Sequence, residues 1–326
     1  MPPLTVTRHF VDNGAGHDLA IRRIASEGSR GRPVILVPGY GMNSFIFGFH
    51  PKERSLEATL AASGLVVYSA ELRGQGQSVA RAGGQGPAEY GMAELGIDDV
   101  SRIVEFVRER ERAKEVDLVG CSLGTALAFA YMAHTPDAPV GSFVSFGGLV
   151  RWVEVPTLLR VAFASPALIG KLRFRRSRQL AKIAFPVIAK RLPGLLSIYV
   201  NGRSSDLSRA DEIVQTVEDP IPRVNEEIAE WIHRRDLVLR GVNVSRAIER
   251  MHHPLLCVVA KEDGIVPEKT ALDVFHRMAG SDKEILSIGG DPDKPIAHAD
   301  LFLSEGAEAR IFEPIARFLA ARHRVR

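Results

Sequence analysis

Short apolar segments that alternate with helix-like segments are the feature that most constrains the fold of this chain. The segments "PVILVPG", "LVVYSAE", "VDLVGC" and "VGSFVSFGG" each have the length of a buried strand, and amphipathic segments separate them. A continuous apolar run, without the alternation of a half-exposed strand, is typical of a sheet that is covered on both faces. The order therefore predicts an α/β fold with a mostly parallel central sheet flanked by helices.

This alternation stops once and then resumes. From Arg151 to about Arg250 the segments are helical or interrupted by proline, with no convincing strand, and "LLCVVAKED" and "KEILSIGG" then read as strands again. Near the beginning, "LTVTRHFV" and "LAIRRIA" predict a hairpin at a sheet edge. We therefore expect a sheet domain formed by residues 1–150 and 251–326, split by a helical insert over residues 151–250.

Composition and charge exclude several classes of protein. The 326 residues are 45% hydrophobic and carry a formal net charge of +3, so no strong field favours nucleic acid as a partner. Two cysteines are too few for a disulfide framework or a cysteine-built zinc site. The chain opens without a signal-peptide pattern, and its long uncharged run, residues 33–51, is broken by glycine and proline. We expect a cytoplasmic protein that does not span a membrane and needs no metal or organic cofactor.

The segment "DLVGCSLGTALA" matches Gly-x-Ser-x-Gly between a predicted strand and a predicted helix. A nucleophile at such a sharp turn has a strained backbone that projects its side chain above the sheet, and the flanking glycines let strand and helix approach. Ser122 holds the central position. Its neighbour Cys121 is expected to point back into the sheet as a small apolar residue. We predict that Ser122, and not Cys121, is the nucleophile.

A serine hydroxyl needs an adjacent base, and the base needs an orienting carboxylate. The segment "AKEDGIVP" places Glu262 and Asp263 after a predicted strand, at the rim where the sites of parallel sheets form. Asp263 directly precedes the glycine turn and is the predicted acid, whereas Glu262 is expected to face solvent. The segment after the preceding strand offers only Glu154, which lies late in its loop.

Ten histidines compete for the role of base. His298 lies in "DPDKPIAHADLF", a loop between the last predicted strand and the last predicted helix, and so at the same rim as Ser122 and Asp263. We predict His298 as the base. Most of the others are expected to be surface or capping residues, among them His9, His17, His134, His252, His253, His276 and His323.

Backbone amides are the expected donors to the oxyanion, because charge that develops on the substrate oxygen needs fixed dipoles. The amide of Leu123 directly follows the nucleophile. The second donor is expected from "VPGYGMNS", with Tyr40 favoured over Gly41. Gly39, Gly41 and Met42 are the predicted substrate contacts in that loop. A simple tight turn is the other interpretation of this segment.

In these motifs the chain resembles the α/β-hydrolase superfamily. The residues that carry the resemblance are "VPGYG", "ELRGQGQS", "GCSLG", "AKEDGIVP" and "AHADLF", in the superfamily's order Ser, Asp, His. Gln75 stands where histidine is commoner, and Pro38 replaces a histidine that often precedes the oxyanion glycine. The resemblance implies an α/β-hydrolase fold and a helical cap, or lid, formed by residues 151–250.

A narrower similarity is to bacterial lipases and to polyhydroxyalkanoate synthase-like members, in "VSRAIERMHHPLLCVVAKED" and in "HADLFLSEGAEARIFEPIARFL". Those synthases carry cysteine at the central position of the Gly-x-Ser-x-Gly turn, whereas this chain has serine there. That difference favours hydrolysis. Members with an aspartate nucleophile, such as dehalogenases and epoxide hydrolases, are excluded on the same ground.

The expected activity is that of a serine esterase or lipase that acts through an acyl-enzyme on a small-molecule ester. The apolar insert and "GMNSFIFGF" suggest an apolar acyl or aromatic group. Acyl transfer, thioester cleavage, polyester synthesis and a ligand-binding receptor of the same fold stay open as alternatives. The stretch Lys171–Leu192 has eight basic residues and no acid, and such a stretch can rest on a lipid surface. We favour a solvated face, because the acidic segment beyond it is expected to neutralise the charge.

Overall fold

The computed structural model describes residues 3–171, 176–192, 194 and 196–323. Its strands are β1 (Leu4–Asp12), β2 (His17–Ser26), β3 (Val34–Val37), β4 (Val67–Ala70), β5 (Val79–Ala80), β6 (Val116–Cys121), β7 (Val140–Phe146), β8 (Val238–Leu239), β9 (Val242–Asn243), β10 (Leu255–Ala260) and β11 (Lys283–Ile288). Its α-helices are α1 (Leu56–Ala62), α2 (Val100–Glu111), α3 (Leu123–His134), α4 (Thr157–Ala162), α5 (Pro166–Ile169), α6 (Ser177–Arg191), α7 (Ala210–Ile213), α8 (Pro222–Arg234), α9 (Val244–Ala247), α10 (Glu268–Ala271), α11 (Asp273–Arg277), α12 (Asp300–Leu303) and α13 (Glu313–His323).

The main sheet has the strand order β1-β2-β4-β3-β6-β7-β10-β11, with the short β5 paired to β2. Strands β1 and β2 form the predicted antiparallel hairpin, and β2 pairs antiparallel with β4. From β4 to β11 all pairs are parallel. The predicted fold class, an α/β-hydrolase fold with a mostly parallel sheet between helices, is confirmed.

The parallel direction decides where the loops of interest lie. Strands β3, β6, β10 and β11 end directly before the segments that contain Gly39, Ser122, Asp263 and His298, respectively. Because the carboxyl ends of parallel strands meet at one edge, these four segments lie at the same edge of the sheet.

Two apolar clusters cover the two faces of the sheet. Strands β3, β4, β6 and β10 are buried along their whole length, which explains their continuous apolar sequence. Helix α3 is apolar on all sides and has ten buried residues of twelve, so it is an internal helix of the core.

The segment between β7 and β10 contains α4 to α9 and one short antiparallel hairpin, β8 with β9. This hairpin was not expected from the sequence. Each of its strands has two residues, too few for a periodic pattern to be recognised. Among the residues described, no helix combines the length and the apolar character that crossing a bilayer requires.

Candidate active site

Ser122 lies at the sharp turn between β6 and α3. Its backbone has φ 51° and ψ −120°, a conformation that costs a non-glycine residue about 1–3 kcal/mol. The amide of Ser122 donates to the carbonyl of Phe146 on the neighbouring strand at 3.0 Å, which helps to hold this geometry. A Cβ at Gly120 would lie 2.5 Å from the Cα of Thr125, and one at Gly124 would lie 2.3 Å from the carbonyl oxygen of Val37. Both glycines therefore stand where strand and helix approach most closely.

Ser122 and Cys121 differ in accessibility. Ser122 is partly exposed, whereas Cys121 is buried in the apolar cluster. Burial raises the pKa of the Cys121 thiol, and the nearby Asp263 carboxylate raises it further. The thiolate is the nucleophilic form of cysteine, so this environment suppresses its reactivity. Of the two neighbours, only Ser122 has a setting that suits a nucleophile.

Asp263 and His298 are brought together, as predicted. The Nδ1 atom of His298 lies 2.6 Å from Oδ2 of Asp263, and the side chains are 10% and 1% exposed, respectively. The other carboxylate oxygen of Asp263 accepts the amides of Ile265 and Val266, each at 2.8 Å. An ionised carboxylate only accepts hydrogen bonds, so Nδ1 carries the proton and Nε2 is left with a lone pair. This is the tautomer that a general base requires.

Glu262, which was expected to face solvent, is partly buried and holds the loop that leads to His298. Its two carboxylate oxygens accept the amides of Gly290 and Ile296, each at 2.8 Å. Its role in this geometry is therefore to anchor the loop. The Glu154 carboxylate pairs with Lys269 at 2.7 Å.

Asp300 is a buried carboxylate near the site that sequence reasoning did not single out. It accepts the amide of Ala297 at 2.8 Å, the amide of Asn201 at 3.0 Å and the hydroxyl of Ser205 at 2.5 Å. Burial raises the pKa of Asp300 to about 6, with Asp263 contributing in the same direction. The one sequence signal for it was its place two residues after His298.

A strap, residues 198–205, connects the loops of the acid and the base. The carbonyl of Ile198 accepts the amide of Gly264 at 3.1 Å, next to Asp263. The carbonyl of Tyr199 accepts the amide of Ala299 at 2.7 Å, and the Tyr199 ring lies 5.9 Å from the ring of His298. The strap therefore covers the Asp263–His298 pair from the side of the insert.

The predicted oxyanion donors border one small cavity. Gly39, Tyr40, Gly41 and Leu123 all line a space of about 20 Å³. A Cβ at Gly39 would lie 2.9 Å from the Cβ of Ser122, so the backbone of this loop passes directly beside the predicted nucleophile. Gly41 has φ +61°, which only glycine adopts without strain.

The segment between β7 and β10 contacts this loop through Glu218 and Asn225. The amide of Glu218 donates to the carbonyl of Gly41 at 2.8 Å. The Glu218 carboxylate accepts from the side chain of Asn43 at 2.5 Å and from the amide of Gly76 at 3.0 Å. Burial raises the pKa of Glu218. The Tyr40 side chain points to the insert as well, since its hydroxyl donates to Oδ1 of Asn225 at 2.5 Å.

A second cavity of about 20 Å³ lies beside Cys121 and His298. Apolar and aromatic side chains form most of its wall, among them Met42, Ile46, Phe146, Tyr199, Leu301 and Phe302, and His298 and Cys121 border it. The predicted substrate contact Met42 therefore borders an apolar space beside the base. At this volume it holds little more than a water molecule.

A larger cleft, of about 1300 Å³, lies at the opposite edge of the sheet, where β7 and β10 begin. None of the predicted catalytic residues lines it, and the ligands of parallel sheets bind at the carboxyl edge. We therefore assign the candidate site to the two small cavities near Ser122, despite their size.

The other histidines lie elsewhere. His323 binds Asp117 at 2.6 Å, but Asp117 stands at the beginning of β6 and not at its carboxyl end. His134 binds backbone carbonyls. His17, expected at the surface, is instead buried edge-on against the ring of Tyr90. In the part of the chain that the structure describes, no group of three or more His, Cys, Asp or Glu residues is placed to hold a metal ion.

The comparison with protein families agrees with this fold. Residues 33–290 match the model of the family described as serine aminopeptidase, S33. The chain belongs to this family of α/β-hydrolases. Its members are hydrolases, and the matched residues include Ser122 and Asp263 and end before His298.

A curated relative of this S33 family chain is a probable lipase of Schizosaccharomyces pombe, 24% identical over 230 residues. The match covers 63% of this chain and 50% of the relative, so the chain spans about half the length of the curated relative it matches.

Solved structures with the same fold include three hydrolases. An esterase from Thermogutta terrifontis, with malate bound, has a TM-score of 0.62 and 16% identity, over 97% of this chain and 99% of that one. A putative aryl esterase from Burkholderia cenocepacia has a TM-score of 0.61 and 17% identity, with the same coverage. A monoacylglycerol lipase from Paleococcus ferrophilus has a TM-score of 0.58 and 19% identity, over 93% of this chain and 99% of that one. At these identities the likeness concerns the fold.

Proposed function

We propose that the protein is a serine carboxylic ester hydrolase, an esterase or lipase, with Ser122, His298 and Asp263 as its catalytic triad. The observation that carries the proposal is the 2.6 Å contact between His298 and Asp263 at the sheet edge where Ser122 has its strained backbone. An oriented imidazole and a serine at a strained turn, both at one edge of the sheet, are the groups that acyl transfer to serine requires.

In the proposed mechanism the Nε2 atom of His298 takes the proton of the Ser122 hydroxyl as its oxygen attacks the acyl carbonyl. Asp263 stabilises the imidazolium that forms, and its own orientation is set by the amides of Ile265 and Val266. His298 then protonates the leaving alcohol. A water molecule, activated by the same imidazole, cleaves the acyl-enzyme and restores the serine.

The amides of Tyr40 and Leu123 are the proposed donors to the oxyanion. They are supported by the cavity that both residues line and by the proximity of Gly39 to Ser122. Such fixed donors, in a site from which water is excluded, contribute about 3–4 kcal/mol each to transition-state stabilisation.

The proposed substrate is a small ester with an apolar acyl or aromatic group. The apolar wall beside His298 supports this choice, because it offers dispersion contacts and few hydrogen bonds to a polar acyl chain. We propose further that residues 151–250 are a cap that must move to admit substrate. The hydrogen bonds from Glu218 and from the strap to the core loops support this assignment.

The proposal is tested with p-nitrophenyl esters of graded acyl length and with an aminoacyl p-nitroanilide, using the wild-type chain, Ser122→Ala and Cys121→Ala. We expect ester hydrolysis that falls by about a thousandfold or more in Ser122→Ala and stays within about tenfold in Cys121→Ala. A fluorophosphonate probe is expected to label Ser122 alone, as read by mass spectrometry of the peptide. Labelling without turnover of any ester would contradict hydrolysis and favour acyl transfer, while turnover of the anilide alone would reassign the bond that is cleaved.

A further inference from the structure

Helix α6 presents an apolar row to solvent. Leu180, Ile183 and Val187 are 63%, 73% and 55% exposed, and their spacing places them on one face of the helix. The other side carries Phe185, which packs against the apolar core. An ordinary surface helix turns its large aliphatic side chains inward, so α6 has a second apolar face without a partner in the described chain.

The neighbouring helices of the insert add to this surface. Leu158 and Val161 of α4 and Leu168 of α5 are each more than half exposed. Within the described residues, seven of the ten large apolar side chains that are more than half exposed belong to residues 157–192. Single exposed apolar residues are common, but a concentration of this kind is typical of an interaction surface.

The same part of the chain carries positive charge that its surroundings do not neutralise. Lys171, Lys182 and Arg191 are exposed, and none of them has a carboxylate at ion-pair distance in the described part of the chain. The acidic segment that follows, residues 211–231, was expected to neutralise the charge of this stretch. Between the two segments the described residues form one ion pair, Arg178 with Glu218.

Four of the other acids of that segment have different partners. Asp219 accepts the backbone amides of residues 176 and 177, which leaves the side-chain charge of Arg176 in place. Glu212, Glu227 and Glu230 pair with arginines three or four residues away in the chain, none of which belongs to α6. Arg191 follows Val187 by four residues and so continues the exposed apolar row, which gives this face of α6 a cationic end.

We propose that the exposed face of α6 docks on an anionic phospholipid surface. Aliphatic side chains enter the boundary between headgroups and acyl chains, while lysine and arginine bind the anionic headgroups. A second copy of this chain fits less well, because two cationic faces would repel each other. The packed side of α6 contacts the segment Val214–Thr216, two residues before Glu218, whose amide donates to the carbonyl of Gly41.

The test is co-sedimentation of the full chain with vesicles of phosphatidylcholine, with and without phosphatidylglycerol, at low and high salt. Ser122→Ala is used as the background, so the result does not depend on hydrolysis or on the proposed function. We expect binding to the anionic vesicles, which weakens with salt and falls by about tenfold or more in Ile183→Glu. The matched control is Val6→Glu, an equally drastic change at an exposed residue of β1, which is expected to bind within about twofold of the background.

Folding of the variants is checked by circular dichroism and thermal unfolding, and we expect Ile183→Glu and Val6→Glu to match the Ser122→Ala background in both. The proposal is overturned by the absence of binding to anionic vesicles, by equal binding of Ile183→Glu, or by equal binding to vesicles without phosphatidylglycerol. A dimer that Ile183→Glu dissociates, as measured by sedimentation velocity without lipid, would overturn it in favour of a second copy.

Discussion

The Nδ1 atom of His298 lies 2.6 Å from Oδ2 of Asp263, although 35 positions separate the two residues in the chain. The contact needs two loops, after β10 and after β11, to meet at one edge of the sheet, and the strap and Glu262 hold both loops there. Its consequence is a fixed tautomer of the imidazole, with Nε2 left to accept a proton.

Replacing Asp263 by asparagine tests this tautomer. The amide side chain of the variant would keep one oxygen for the amides of Ile265 and Val266 and would turn its NH₂ group to His298, so that Nδ1 must accept and Nε2 must carry the proton. We expect kcat for a p-nitrophenyl ester to fall by about 10³–10⁴ in Asp263→Asn, with a small change in KM.

The control for that variant is Glu262→Gln, which removes the neighbouring carboxylate. This substitution weakens the anchoring of the loop but leaves Asp263, the partner of the His298 imidazole, in place. We therefore expect kcat to fall by about tenfold or less. The reverse ranking of the two variants would exclude Asp263 as the orienting acid.

Gly39→Ala tests the close approach of the Tyr40 loop to Ser122. Its Cβ would lie 2.9 Å from both the Cβ of Ser122 and Sδ of Met42. We expect destabilisation of about 1–3 kcal/mol and a fall in kcat/KM of about tenfold or more, because the loop must shift away from Ser122, the proposed nucleophile. Thermal unfolding and ester kinetics measure the two effects. Gly202→Ala is the control, since its Cβ would lie 3.6 Å from the nearest atom, an ordinary van der Waals distance. Equal losses of stability and of kcat/KM in the two variants would contradict a role for the close approach at Gly39.

The buried carboxylate of Asp300 predicts a pH dependence of stability. Its pKa is raised to about 6 by burial, from 3.8. Between these values the folded protein holds a proton that the unfolded chain has lost, so the contribution of this group to the free energy of unfolding decreases as pH rises from about 4 to about 6. The decrease amounts to about 2 to 3 kcal/mol for the shift concerned.

Asp300→Asn removes that decrease, because asparagine does not titrate. Denaturant unfolding from pH 4 to pH 7 gives the free energy of unfolding of the wild type and of the variant, and their difference at each pH measures the effect. We expect the variant to lose a constant amount of stability at every pH, because its bonds to Ser205 and Asn201 are altered. In addition, the stability of the variant relative to the wild type is expected to increase as pH rises. A difference that stays constant over the whole pH range would show that Asp300 does not titrate there.

The bond between Tyr40 and Asn225 predicts an energetic coupling between the Tyr40 loop and the segment between β7 and β10. Asn225 is fully buried, and its Nδ2 atom has no partner in the described chain, so Oδ1 depends on the Tyr40 hydroxyl. Tyr40→Phe is expected to cost about 1–3 kcal/mol of stability. Because the proposed oxyanion donor is the backbone amide, kcat is expected to change by no more than about threefold. A double-mutant cycle with Asn225→Ala is expected to give a coupling of about 0.5–3 kcal/mol, and additive effects would contradict the bond.

The fold and the family followed from the sequence because their signals are local. Apolar strands such as "VDLVGC" alternate with helices, and the Gly-Cys-Ser-Leu-Gly turn needs only neighbouring residues to define it. Both predictions are confirmed. The sequence also named Ser122, Asp263 and His298, and the geometry brings the last two into contact, while their catalytic roles stay predictions.

What only the tertiary structure decided depends on contacts between distant segments of the chain. Asp300, Glu262 and Glu218 stood in the sequence as ordinary acids, and burial among backbone amides from other loops makes them anchors of the site. The exposed row on α6 has the same origin. The sequence showed a basic stretch over Lys171–Leu192, but which face of the helix meets solvent is decided by the segments that pack on its other side, and no local pattern specifies that choice.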